Sequence, residues 1–84
     1  MTDTVTVPLS RPIQHEGVDL SSLTFRPATV GDLIEGDGIV GDTARLATIL
    51  ASMAGIPIAE FRKVSAKDYN VIIDKTGDLW GNAP

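Results

Sequence analysis

Gly36, Gly38 and Gly41 stand at the G-x-G-x-x-G spacing just ahead of a helix-like segment. Such loops cradle phosphate, because glycine lets the backbone approach the anion and the first N–H groups of the helix point at it. The surroundings argue against that use. The segment before the glycines has the pattern of a short helix instead of a strand, and a βαβαβ nucleotide-binding half does not fit in 84 residues. Asp37 and Asp42 would also set carboxylates beside the phosphates. A flexible loop over residues 35–42 explains the glycines better than a nucleotide site.

Other residue types capable of chemistry fare no better. Asp32, Glu35, Asp37 and Asp42 offer oxygens of the kind calcium takes, yet they miss the spacing of an EF-hand loop. His15 beside Glu16 has the makings of a general base, but it falls at a predicted turn with no nucleophile or sheltered pocket implied. Ser10, Ser21, Ser22, Ser52 and Ser65 lack the context of a nucleophile elbow. The chain has no cysteine and one histidine, which removes disulfides and thiolate metal sites and disfavours a histidine zinc site. No catalytic residue, cofactor or metal is expected, so the chain is read as a binding protein and not an enzyme.

Candidate binding residues come from helix patterning. Over residues 42–54, Leu46, Ile49, Leu50 and Met53 form one apolar stripe, and Ala44, Ala47, Ala51 and Ala54 form a second beside it. Together they are wider than a surface helix needs for one small core. Ala47, Ala51 and Ala54, with Trp80 as an aromatic of the hot-spot type, are the candidate partner-binding residues.

The elements that position these residues follow from period and punctuation. Val5, Val7 and Leu9 alternate with polar positions as in a half-buried strand, Ile13 resumes that face, and Pro8 and Pro12 suit a sheet edge. Glu16 and Gly17 supply a turn, and a return strand from about Val18 to Phe25 carries Leu23 and Phe25 inward, with Ser21 and Ser22 a possible bulge. Pro27 ends the strand, and Thr29 caps a short helix with Asp32 in a capping-box arrangement. Phe25 and Leu33 are expected core anchors. Asp42 or Thr43 is expected to cap the helix that Gly55 ends. Pro57 opens another short helix with Ile58 and Phe61 inward, and Ser65 caps a last one running to about Trp80. Its inward face gathers Tyr69, Ile72, Ile73, Thr76, Leu79 and Trp80.

The fold class is therefore α+β: a small N-terminal antiparallel β-hairpin at about 4–26, then three to four short helices over 29–80, in a single domain spanning 1–84. A chain this short buries roughly 60–65% of its unfolded surface, so its core is thin. Net charge is −4, with seven acids and two bases in residues 1–42 against four acids and five bases in 43–84. That balance disfavours nucleic acid, whose affinity comes from clustered bases. The N-terminus, with Asp3, has no signal-peptide pattern, and the apolar run from Ile49 to Ala59 is too short and too broken to span a membrane. A soluble intracellular protein is expected.

Three blocks, Leu9-Ser-Arg-Pro-Ile13, the stretch from Leu23 through Arg26-Pro-Ala-Thr29 to Leu33, and Leu46 through Tyr69, occur in an order and spacing that resembles the small tail assembly chaperones of Mu-like and related contractile-tailed bacteriophages. The resemblance covers roughly residues 5–75. It implies a non-enzymatic protein that holds the long tape-measure protein soluble in the host bacterial cytoplasm during tail assembly and is absent from the mature virion. It further implies a homo-oligomer and a partner in a longer, slippage-derived form of the same chain. The alternatives are a structural virion subunit that adds its hairpin edge to a neighbouring sheet and, below that, a small nucleotide-binding protein.

Overall fold

Alternating apolar residues at the start of the chain build a two-stranded antiparallel sheet from β1 (Val5–His15) and β2 (Val18–Phe25). The computed structural model describes residues 4–80. Residues 1–3 and 81–84, Asp3 among them, lie outside it. Glu16 and Gly17 join the strands with positive φ at both positions, 53° and 78°, the geometry of the tight turn that matches strand twist. Val7, Leu9 and Ile13 of β1 and Leu23 and Phe25 of β2 are buried on one face.

The hairpin is irregular at one place. Pro8 pairs with Ser22 and Ile13 with Leu20, so residues 9–12 oppose little more than Ser21. The extra residues sit in β1, whereas Ser21 and Ser22 were the expected bulge. Proline at 8 and 12 explains the side chosen, because neither can donate to the ladder.

Four helices follow: α1 (Val30–Glu35), α2 (Asp42–Ala54), α3 (Ile58–Phe61) and α4 (Ala66–Thr76). The last continues as a 3-10 turn, Gly77–Leu79, and does not run as regular helix to Trp80. Thr29 and Asp32 form the expected capping box, Ser65 caps α4 by accepting from the Asp68 N–H, and Gly55 closes α2 at φ 72°. At the start of α2 the cap is Gly41, with no side-chain bond, in place of the expected Asp42 or Thr43. Asp42 lies in the first turn, where its charge complements the helix dipole.

The core joins the inner face of the hairpin to Ile49, Leu50, Ala51 and Met53 of α2, Phe61 of α3 and Ile72 of α4. Phe61 sits edge-on to both Phe25 and Tyr69, with ring centroids 6.5 and 6.2 Å away, so one aromatic ties the hairpin to α3 and α4. Two expected core residues are not in it. Ile58 is 38% exposed because the single turn of α3 turns Phe61 inward and leaves Ile58 at the surface. Leu33 is 48% exposed because α1 buries Asp32 instead.

Candidate partner-binding groove and its supports

The joint between strand and helices is fixed by one carboxylate. Asp32 accepts from both guanidinium nitrogens of Arg26 at 2.6 and 2.9 Å, from the Thr29 N–H at 2.8 Å and hydroxyl at 3.1 Å, and from the Ser52 hydroxyl at 2.5 Å. Arg26 also donates to the Ser52 carbonyl at 3.2 Å. The residue that follows β2, the capped start of α1 and Ser52 of α2 are thereby locked together. The Arg26 guanidinium, aided by the hydroxyl and backbone donors, holds the Asp32 carboxyl well below the usual carboxylate range despite its burial.

A second carboxylate repairs the irregular strand. Asp68, in the first turn of α4, accepts from the Ser10 N–H at 3.0 Å, the Ser10 hydroxyl at 2.9 Å and the Arg11 N–H at 3.2 Å. These backbone donors lie in the stretch of β1 that steps out of register with β2, and Asp68 satisfies them. The Ser10 N–H is the main reason the Asp68 carboxyl is also held below its ordinary value.

Between α2, α3 and the start of α4 these supports leave a groove of about 690 Å³. It is lined by Ile39 from the glycine loop, Ala44 and Ala47 from α2, Ile58 and Phe61 from α3, and Tyr69 from α4. Burial raises the Tyr69 phenol above its usual value, and its hydroxyl donates to the Thr43 carbonyl at 3.4 Å. Arg62 is the one charged group among the described lining residues. Ala44 and Ala47 give the α2 wall small side chains, and the mostly apolar walls suit the nonpolar face of a helix.

The four candidate binding residues are not brought together. Ala47 lines the groove. Ala51 is 2% exposed, so it belongs to the core and presents no surface to a partner. Ala54 is half-buried and outside the lining. Trp80 is half-buried too, and its indole N–H donates to the Thr76 hydroxyl at 3.1 Å, which in turn donates to the Ile72 carbonyl at 2.7 Å. Along the alanine stripe of α2, Ala44 and Ala47 line the groove and Ala51 lies in the core. Ile39, Ile58 and Tyr69 gave no local signal of lying together; they converge only through the packing of α3 and α4.

The glycine loop has its own structural causes. A side-chain carbon at Gly36 would meet Ile49 at 2.9 Å and Arg45, backbone included, at 3.0 Å, so glycine permits the close seat of α1 on α2. Gly38 and Gly41 hold φ of 81° and 99°. Asp32 is turned inward while Glu35, Asp37 and Asp42 are exposed, so the four acids imagined as a calcium cage diverge. His15 lies 3.8 Å from Glu60 and bridges the hairpin turn to α3. Among the described residues no cluster of metal-ligating side chains occurs, and no helix is long and apolar enough to cross a membrane.

A family model described as phage tail assembly chaperone proteins, E, or 41 or 14, matches residues 6–78. No curated protein and no solved structure matches.

Proposed function

We propose that this chain, which belongs to the phage tail assembly chaperone family, is a non-enzymatic chaperone that binds the tape-measure protein and keeps it soluble while the tail assembles. The observation that carries this is the family match over residues 6–78. The apolar groove supports it physically. A tape-measure protein is a long helical chain with apolar stripes, and its exposed stripes need small subunits that each cover a short length.

Ala47, Ala44 and Ile58 are the residues on which the client helix would lie. Each carries little side-chain entropy to lose on binding compared with long polar side chains. The chaperone acts in the host bacterial cytoplasm, alongside any longer slippage-derived form of the chain, and leaves before the virion is complete. Co-expression with the tape-measure protein of the same phage tests this. A soluble client that co-purifies with the chaperone supports the proposal. A client that stays insoluble, with no recoverable complex, contradicts it. Recovery of the chain from purified mature particles would favour the structural-subunit alternative.

A further inference from the structure

Helix α1 is turned inside out relative to the rest of the molecule. Its acid, Asp32, faces the protein, while Val30, Leu33 and Ile34, which share one helix face at i, i+3 and i+4, are 71%, 48% and 62% exposed. The network of Arg26, Thr29 and Ser52 around Asp32 holds that orientation, so the apolar stripe cannot roll inward. The helix is seated through Gly36 on the Arg45 and Ile49 side of α2, whereas the groove opens on the Ala44 and Ala47 side. Helix α1 and the groove therefore lie on different sides of α2, and none of Val30, Leu33 and Ile34 lines the groove.

The two surfaces complement each other in charge as well as in polarity. Glu35 is the exposed charge of α1, and it has no ion-pair partner among the described residues. Arg62, the charged residue of the groove, likewise has none among them. The same asymmetry runs through the whole chain, with acids concentrated before residue 43 and bases after it.

We propose that α1 of one copy docks in the groove of a second copy, placing Val30, Leu33 and Ile34 on its apolar floor and Glu35 against Arg62. Because α1 and the groove sit on different sides of α2, each contact leaves one α1 and one groove free, so the contact repeats head-to-tail into a ring or an open chain of subunits. The inference concerns the chain alone and is tested without any client. Resting on the function proposed above, it has one corollary: a client helix entering the groove displaces the neighbour's α1.

Sedimentation velocity over a range of protein concentrations provides the test, with circular dichroism to verify that each variant is folded. The wild-type chain should associate beyond a dimer as concentration rises. Ile34→Glu, which alters an exposed stripe, and Ala47→Glu, which alters the groove, should each weaken self-association at least tenfold. Mixed together, the two variants should form a one-to-one dimer and nothing larger, since one retains the groove and the other retains α1. At surface positions, Glu35→Arg and Arg62→Glu should each weaken association, and the two reversals in one chain should restore it. A wild-type chain that stays monomeric overturns the proposal, as does a mixture of the variants that does not pair. Failure of the double reversal to restore association overturns it as well, and that arm does not depend on whether Ala47→Glu folds.

Discussion

The guanidinium of Arg26 grips the carboxylate of Asp32 through two hydrogen bonds, 2.6 and 2.9 Å long, across the turn from strand to helix. The acid is buried and the base is half in water, so their contributions are unequal. Removing the acid frees an arginine that water can still solvate. Removing the base strands a buried carboxylate with only hydroxyl and backbone donors. Arg26→Ala should therefore destabilise the fold by about 3 kcal/mol and Asp32→Asn by somewhat less, measured by urea denaturation. Equal, negligible losses would show that the joint is held by packing alone.

Acid should unfold the protein through two carboxylates. Asp32 and Asp68 both have folded-state pKa values lowered by the donors around them. A lowered folded pKa contributes stability that is fully present above the unfolded value, near 4, and is lost as pH falls toward the folded value. Stability measured at pH 7, 4 and 3 should thus fall below about pH 4, and Asp32→Asn should flatten that fall. A pH profile unchanged by this substitution would remove Asp32 as its cause.

Gly36 is constrained by space and not by φ. Alanine there should cost about 1–3 kcal/mol, because its added carbon meets the Arg45 backbone, which cannot move aside as a flexible side chain would. Gly31→Ala, whose nearest neighbour would be the Thr29 hydroxyl at an ordinary 3.5 Å, should be neutral or slightly stabilising. Thermal denaturation of the two variants separates them.

The alanine stripe of α2 should split by substitution. Ala51→Glu places a charge in the core and should prevent folding. Ala47→Glu should leave a folded chain, because Ala47 lines an open groove. Circular dichroism and denaturation curves would distinguish the two, and similar behaviour of both would mean that the stripe is not split between core and groove.

Much of the architecture was legible locally. The hairpin boundaries, the turn at Glu16 and Gly17, the caps at Thr29 and Ser65 and the stop at Gly55 each depend on a few neighbouring residues, and each appears as expected. The orientation of α1 was not legible, because it depends on Ser52, 20 residues beyond Asp32, reaching the same carboxylate. Leu33, an expected core anchor, is therefore at the surface, and the neighbouring Asp32 is the residue of α1 that is buried. The second task of Asp68 was hidden for the same reason: its strand partners Ser10 and Arg11 are 58 and 57 residues away. Only part of the groove was foreshadowed, since the width of the α2 apolar surface showed that something must cover or use it but not that Ala51 falls in the core while Ala47 lines the groove.

The most direct test of the chaperone account is co-purification of the tape-measure protein with the wild-type chain and with folded Ala47→Glu, expressed side by side. The account predicts soluble client bound to the wild type, and client lost to the insoluble fraction with the variant. Equal recovery of soluble client with both would place client binding away from the groove, and insoluble client with both would contradict the chaperone function itself.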